Sequence, residues 1–330
     1  MTAKRSGKAY YMEWDESQHF PMELLPKLAA LGLTGIQFGE EYGGSAMSAV
    51  EYCICIEELA RVCPAIALSV AAHNGLCTSH IAMATAGQDF SDYRRWLESA
   101  RVDTSLVREV DGKFTASFFC STDVDSNQIA SFYTGAMANA GELSFRDVPD
   151  CGLAIISPND PGAMLQYADE CRTLGIPFIW DPGQQCARMS GDELRDGLTA
   201  ATIVVCNDYE FELIRQKTGL DEAAILARSG ALVVTRGENG CSILERHQTT
   251  DVSAVPPHRI IDPTGVGDAF RGGFLKGMAL GASYRVCAQI GSVAATYALE
   301  HLGGQSHAYT WAEFLERYEH HFGHASGALG

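Results

Sequence analysis

The chain has 330 residues, of which 46% are hydrophobic, and a formal net charge of −17 from 41 acidic and 24 basic residues. This hydrophobic content is that of an ordinary globular protein, so intrinsic disorder is not expected. The negative charge would repel nucleic-acid backbones and anionic membrane surfaces, which leaves a small molecule as the expected partner.

The first eighty residues have the apolar periodicity of helices. A first helix is predicted from Pro21 to Gly32 and a second from Ser48 to Val62. Pro64 ends the second helix, and an apolar third helix is predicted over Ile66–Ala72.

After about Met83 the pattern changes to short β-rich runs. Phe114–Phe119 and Ile129–Tyr133 flank a polar turn, Asp123–Asn127, and predict a hairpin. Apolar strands then alternate with helices, which predicts a parallel sheet covered on both faces, with ligands bound at the carboxyl ends of the strands. The predicted strands are Leu153–Ser157, Pro177–Asp181, Thr202–Cys206 and Ala231–Thr235, the helices are Pro161–Leu174, Glu193–Leu198 and Asp208–Lys217, and the chain from Gly267 to about Phe322 is helical.

A glycine-rich turn, DPTGVGDAF over residues 262–270, opens the first of these last helices. Gly265 and Gly267 let backbone N–H groups converge, and a helix N-terminus adds partial positive charge, so the turn suits a phosphoryl group. Asp268 could then take a proton from an attacking hydroxyl. A tight turn with an N-capping carboxylate explains the same residues equally well.

Two further segments follow predicted strands. In NDYE, Asn207 and Glu210 could reach metal-bound water and phosphate oxygens, although a helix-capping role for Asn207 is the simpler alternative. In TRGENG, Thr235 and Gly237 could face nucleotide phosphates, while a hairpin turn at Asn239-Gly240 is the alternative.

The eleven cysteines, scattered from Cys53 to Cys287, form no paired CxxC clusters, which argues against a zinc site and a disulfide framework. The N-terminus has no apolar signal-peptide core, and the chain has no uninterrupted apolar run of about 20 residues. We therefore expect a cytoplasmic protein with no membrane segment.

The ordered motifs NDYE, VVTRGENG and DPTGVGDAF resemble those of the PfkB, or ribokinase-like, family of carbohydrate and nucleoside kinases. The resemblance covers about residues 83–322. Within the family, TDVDSNQIASFYTGAM and Asp181-Pro182-Gly183 are most similar to bacterial adenosine kinase-like members. The resemblance to the PfkB family implies an α/β fold with a doubly wound, mainly parallel sheet and a small β lid. It also implies the transfer of a phosphoryl group from ATP to a hydroxyl of a sugar or nucleoside.

The resemblance also implies roles for the matching residues. Asp268 would be the catalytic base, and Gly265, Val266 and Gly267 would form the anion hole. Asn207 and Glu210 would organise Mg²⁺ through water, and Thr235 and Gly237 would lie along the ATP phosphates. Asp262 and Thr264 match positions that help many relatives to bind a monovalent cation such as K⁺. On the helix that carries Gly291, relatives often have a polar residue that contacts adenine, and the departure of this chain leaves the base contact undefined.

The N-terminal residues depart from that family. Residues from about Trp14 to Ile81, through FGEEYGG, IEELARV and SVAAHN, resemble the helical N-terminal domain of acyl-CoA dehydrogenases. The flavin-binding and catalytic segments of such enzymes have no counterpart, so FAD is not expected. The predicted domains are therefore a truncated helical segment, 1–82, and a kinase domain, 83–330, that lacks its usual first strands.

Three hypotheses remain open. The first is a working sugar or nucleoside kinase, supported by the complete anion-hole motif. The second is a crippled fusion that binds nucleotide or is only structural. It is supported by the absence of the N-terminal stretch that, in the ribokinase-like family, supplies an aspartate to hold the acceptor's hydroxyls. The third, an acyl-CoA dehydrogenase, has the weakest support. Sheet edges left open by the missing strands also predict lower stability or a homo-oligomer.

Overall fold

The computed structural model describes residues 27, 28, 31, 33, 55, 80–100, 102–122, 128–148 and 151–324. The chain divides into two units, Met1–Thr115 and Ala116–Gly330. The helices predicted between Pro21 and Ala72 lie outside the described residues, except for helical Lys27, Leu28 and Cys55. The predicted domain boundary at residue 82 stays a prediction.

Two small parallel ladders are described in the first unit. They consist of β1 (His80–Ile81) with β3 (Val102–Asp103), and β2 (Ala84–Ala86) with β4 (Val107–Glu109), and helix α1 (Ser91–Ser99) lies between β2 and β3 in the chain. Ala86, Phe90 and Val107 form a buried cluster. Strand β1 thus starts at His80, within the segment that was expected to be helical up to residue 82.

The second unit begins with the predicted hairpin. Strands β5 (Ser117–Thr122) and β6 (Gln128–Tyr133) are antiparallel, and the predicted turn Asp123–Asn127 lies outside the described residues. The first strand starts three residues later than the predicted Phe114, because the backbone and hydroxyl of Thr115 donate to Oδ1 of Asp89, each at 2.8 Å. That this hairpin is a lid stays a prediction.

Six strands form the main sheet. They are β7 (Ala154–Ile156), β8 (Phe178–Trp180), β9 (Ile203–Asn207), β10 (Ala231–Thr235), β11 (Cys241–Glu245) and β12 (Gln248–Val252). The order across the sheet is β12, β11, β10, β9, β8, β7. Strands β7 to β10 are parallel, as the alternation with helices predicted, and β11 and β12 are antiparallel. No described strand pairs with the outer edge of β7.

The connections between the parallel strands are helical. They are α2 (Pro161–Leu174), α3 (Gly191–Leu198), α4 (Asp208–Thr218) and α5 (Glu222–Leu226), together with short 3₁₀ helices at Gly135–Glu142, Phe145–Asp147, Gly183–Ala187 and Gly237–Asn239. Local sequence sets their ends. Asp160 caps α2 before Pro161, and Gly175, with a positive φ of 70°, ends it.

The sheet is buried between layers of helices. On one face, Ile179, Val205 and Val233 belong to a core with Phe270 of α6 (Val266–Ala279) and Cys287 of α7 (Tyr284–Leu299). On the other face, the ring of Trp180 contacts α3 at Gly197. The doubly wound α/β fold is therefore confirmed.

The last helix, α8 (Trp311–Phe322), is fixed to the end of α7 by an ion pair. Glu300 accepts hydrogen bonds from both terminal nitrogens of Arg317, at 3.0 and 3.2 Å, and from the backbone of His258 at 2.6 Å. Both ionic side chains are largely buried, with 9% of Glu300 and 13% of Arg317 exposed. This cluster joins three separate segments of the second unit.

Candidate active site

Polar residues stand at the carboxyl ends of the four parallel strands. Ser157 follows β7 and Asp181 follows β8, while Asn207 and Thr235 end β9 and β10. The strand register places Thr235 opposite Asn207, and Ile156 opposite Trp180. The structure thus brings these four residues to the edge of the sheet where parallel sheets bind ligands.

Asn207 and Glu210 form a capping box at the start of α4. Oδ1 of Asn207 accepts from the backbone of Glu210 at 2.7 Å, and Oε2 of Glu210 accepts from the backbone of Asn207 at 2.9 Å. Asn207 therefore has the helix-capping role that was the alternative to a metal-binding role. The same contacts fix both side chains at the sheet edge and leave Oε1 of Glu210 outside the box.

Thr235 and Gly237 lie at the start of the β10–β11 connection. The hydroxyl of Thr235 is 3.5 Å from the carbonyl of Cys206, and Gly237 has a positive φ of 55°. The space beside Gly237 is open, since no atom lies within 4 Å of a Cβ placed there. This connection joins the antiparallel strands β10 and β11, so the hairpin predicted as the alternative role of this segment is present.

The glycine-rich turn ends at the first turn of α6. Gly265 is the N-cap with φ 76° and lies so close to Gly304 that an added Cβ would be 2.6 Å from its Cα. The Val266 amide points to the carbonyl of Pro263 at 3.4 Å. The amides of Gly267 and Asp268 donate to no acceptor in the described ranges, as expected in a first helical turn. These two N–H groups can bind an anion.

Asp268, the predicted base, is solvent-exposed and contacts Arg271 one turn further along α6. Nη2 of Arg271 donates to Oδ1 of Asp268 at 2.9 Å. Nε of Arg271 is 2.7 Å from Oδ2 of Asp181. Arg271 thus links the predicted base to the carboxyl end of β8.

Asp181 is completely buried. Burial raises the pKa of Asp181 to about 7, since a charged carboxylate loses its hydration; Arg271 acts in the opposite direction, and nearby Glu210 adds to the increase. Ser157 donates to Oδ2 at 3.3 Å, whereas Oδ1 has no hydrogen-bond partner among the described residues. An unpartnered buried acceptor is costly, and such groups concentrate at functional sites.

Asp262 and Thr264 organise the turn before α6. Oδ1 of Asp262 accepts from the backbone of Thr264 at 2.9 Å, and Oδ2 accepts from the backbone of Gly303 at 2.8 Å. Hydrogen bonds from the Thr264 side chain and backbone, and then from Gly303, lower the pKa of Asp262. The described residues contain no cluster of three or more His, Cys, Asp or Glu side chains that could hold a metal. The cation role of Asp262 and Thr264 stays a prediction.

Gly291 lies where α7 crosses α6. A Cβ on Gly291 would be 2.7 Å from the carbonyl oxygen of Phe270, and a Cβ on Gly273 would be 2.8 Å from the Cα of Gly291. The close approach of the two helices thus requires glycine here. The contact of this helix with adenine stays undefined.

Sequence reasoning gave no role to Arg271, Asp181 or Ser157. In the sequence, Asp181 is one residue of a family motif, and Arg271 is part of a predicted helix. Their signals were weak but present: Asp181 ends a predicted strand beside Pro182, and Arg271 follows Asp268 at the i,i+3 spacing of a helical ion pair.

Comparisons with known proteins identify the family. The model of the pfkB family carbohydrate kinases matches residues 66–311. The chain belongs to this family. Its members and relatives are phosphotransferases with an alcohol group as acceptor, and this is the enzyme class of the chain.

Two solved nucleoside kinases share the fold. The Burkholderia thailandensis enzyme in complex with inosine is 37% identical, with a TM-score of 0.71 over 73% of this chain and 80% of that one. The Methanocaldococcus jannaschii enzyme, an archaeal member of the ribokinase family, is 28% identical, with a TM-score of 0.69 over 73% of this chain and 81% of that one. The ribokinase-like fold is confirmed.

The predicted resemblance of the first segment is also confirmed. Residues 2–90 match the model of the acyl-CoA dehydrogenase N-terminal domain. A short-chain acyl-CoA dehydrogenase of Clostridium acetobutylicum is 39% identical over 79 residues, which are 24% of this chain and 21% of that enzyme. None of the helices in the described part of the chain has the length and hydrophobicity of a membrane span.

Proposed function

We propose that this kinase transfers the γ-phosphoryl group of ATP to a hydroxyl of a nucleoside, as adenosine kinase-like enzymes do. The observation that carries the proposal is the first turn of α6, where the amides of Gly267 and Asp268 have no acceptor among the described residues and lie beside the exposed carboxylate of Asp268. The solved relative that binds inosine, and its complex with ADP and inosine, favour a nucleoside over a free sugar.

In the proposed reaction, Asp268 accepts the proton of the acceptor hydroxyl as its oxygen attacks the γ-phosphorus. The bond to the bridging oxygen breaks and ADP leaves. Because Arg271 occupies Oδ1 of Asp268, Oδ2 is the oxygen left to take the proton. The amides of Gly267 and Asp268 stabilise the charge on the transferred group.

The donor and its metal fit the edge of the sheet. Gly237 borders open space, and triphosphate oxygens would lie there against the backbone, next to Thr235. Mg²⁺ would be held through water by Asn207 and Glu210, whose oxygens are hard ligands. The ion neutralises phosphate charge when bound. Asp262 and Thr264 would hold K⁺ beside the turn.

A second candidate is a protein that binds nucleotide without turnover. It is favoured by one observation: the kinase family match starts at residue 66, and the preceding residues match a dehydrogenase domain instead. We also propose a domain boundary near residue 82 and a homo-oligomer. The homo-oligomer is supported by the outer edge of β7, with which no described strand pairs.

The test is an ADP-release assay on the full chain with MgATP and adenosine, inosine or ribose. We expect turnover with a nucleoside and none with buffer alone. Absence of acceptor-dependent ADP release, with nucleotide binding retained in calorimetry, would establish the second candidate. A preference for ribose would contradict the nucleoside assignment.

A further inference from the structure

The guanidinium of Arg271 is held on two sides. Its Nε is 2.7 Å from buried Asp181, and its Nη2 is 2.9 Å from Asp268. The remaining nitrogen, Nη1, is 3.1 Å from the position that a Cβ on Gly267 would occupy. With 21% of its side chain exposed, Arg271 is therefore fixed over the glycine of the first turn of α6.

Nη1 has no acceptor within the described part of the chain. The amides of Gly267 and Asp268 likewise have none there. Unused donors from a guanidinium and a helix N-terminus thus lie together, which is the arrangement that binds phosphate.

The local charges require a cation at this place. Asp181 and Asp268 each contact Arg271, and Glu210 is close enough to Asp181 to act on its pKa. A polyphosphate approaching these carboxylates would be repelled without a compensating positive charge. Arg271 supplies that charge beside the turn.

We propose that Arg271 binds the transferred phosphoryl group through Nη1, and that Asp181 is a positioning residue that holds the guanidinium in place. This inference rests on the proposed use of ATP. Arginine suits the role better than lysine, because its planar fork can keep the Asp181 contact while other nitrogens face a phosphate.

The environment of Asp181 supports this division of roles. Its carboxyl is fully buried, accepts from Ser157 and Arg271 through Oδ2, and leaves Oδ1 without a described partner. A buried acid with an unsatisfied oxygen is a poor way to stabilise a fold. Its position is explained by the direction that it gives to Arg271.

The first measurement compares the binding of a non-hydrolysable ATP analogue, AMP-PNP, with that of ADP by calorimetry. Arg271→Ala should weaken AMP-PNP binding about tenfold or more, while the ADP affinity changes by less than about threefold, because only AMP-PNP carries the third phosphoryl group. Asp181→Asn should reproduce this difference in weaker form.

The second measurement is chemical rescue in the ADP-release assay. Arg271→Ala should lower kcat by about 10²-fold or more. Added guanidinium ion, far below denaturing concentrations, should restore part of kcat in Arg271→Ala, and restore less in Arg271→Ala/Asp181→Asn, which lacks the carboxyl group that holds the guanidinium. A purely structural arginine would not be rescued in this Asp181-dependent way.

Arg215→Ala is the matched control. Arg215 forms the same i,i+3 ion pair, with Glu212 at 3.1 Å, near the end of α4. We expect this variant to retain the parent kcat and both affinities. Urea unfolding of every variant identifies any loss of folding.

The outcomes separate the two proposals. If the parent has no acceptor-dependent turnover but AMP-PNP binding depends on Arg271, the proposed kinase activity fails and the phosphoryl contact stands. If the parent is active and Arg271→Ala keeps both kcat and AMP-PNP affinity, the inference about Arg271 is wrong. If guanidinium rescues both variants equally, Asp181 is not the positioning residue.

Discussion

Asp268 and Arg271 stand one turn apart on α6, and the guanidinium of Arg271 donates to Oδ1 of Asp268 at 2.9 Å. The carboxylate of Asp268 is exposed, and its Oδ2 has no partner among the residues that the structure describes. An arginine that fixes one oxygen of a base, and leaves the other oxygen to accept a proton, makes the protonation site specific.

The first prediction concerns Asp268→Asn. An amide cannot take the acceptor's proton, so we expect kcat to fall by about 10²–10⁴-fold, with little change in AMP-PNP affinity. ADP release and calorimetry measure the two quantities. Asp192→Asn is the control, since Asp192 is also in a first helical turn and pairs with an i,i+3 arginine, Arg195. Equal losses in both variants would assign the effect to helix stability.

The second prediction concerns Gly265→Ala. A Cβ at φ 76° is strained and would lie 2.6 Å from the Cα of Gly304, so the turn must move. We expect the free energy of unfolding to fall by about 1–3 kcal/mol, with weaker AMP-PNP binding. Urea unfolding and calorimetry provide the measurements.

Gly272→Ala is the control for this change. Gly272 is in the interior of α6, and an added Cβ meets no atom within 4 Å. Alanine there should raise the stability by up to about 1 kcal/mol. A stable, fully binding Gly265→Ala would show that the turn does not need glycine.

The third prediction is a pH dependence at Glu300. Burial acts to raise the pKa of Glu300, but hydrogen bonds from Arg317 and His258 outweigh it and hold the pKa below its ordinary value of 4.5. The stabilisation is therefore complete above the pKa of the unfolded carboxyl and is lost as the pH falls through the lower folded value.

Glu300→Gln should accordingly lower the free energy of unfolding by about 2 kcal/mol at neutral pH. The difference from the parent should shrink as the pH drops below about 4.5. Urea unfolding across this range gives the comparison. As a control, Gln at the exposed Glu316 of α8, next to Arg317, should change stability by less than about 0.5 kcal/mol. A deficit in Glu300→Gln that is independent of pH would refute the ionic explanation.

The fourth prediction concerns thiol reactivity. Burial raises the pKa of Cys171, Cys186 and Cys241 to about 12 and that of Cys287 to about 11. Because the thiolate is the reactive form, alkylation of these residues in the native protein should be slow. Peptide mapping after brief iodoacetamide treatment measures it, with urea-unfolded protein as the control. Comparable labelling of Cys241 in the two states would contradict the buried position.

Much of the second unit could be predicted from local pattern. The boundaries of α2 and β10 match the predicted ones, because proline, glycine and β-branched residues act over a few positions. The start of β5 was placed three residues too early, since the competing bond from Thr115 goes to Asp89, 26 residues away. Periodicity carries no information about such a partner.

The candidate site shows the same limit. The motifs around Asn207, Thr235 and Asp268 were visible because each is continuous in the sequence. The link between Asp181 and Arg271 spans separate elements, and it exists only after β8 and α6 are brought together. Gly291 is a similar case. It allows α6 and α7 to pack closely, and this crossing of the helices cannot be read from the sequence.

Asn207 and Glu210 at the start of α4 have a structural role as a capping box and a proposed role in binding Mg²⁺ through water. Replacing Asn207 removes the cap, worth about 1 kcal/mol, as well as any contact with a metal-bound water. A chain that had lost its catalysis would still be selected to keep Asn207 and Glu210 for the sake of folding. Asp268, in contrast, is exposed and outside any capping box, so substitutions at Asp268 report on turnover more directly than substitutions at Asn207.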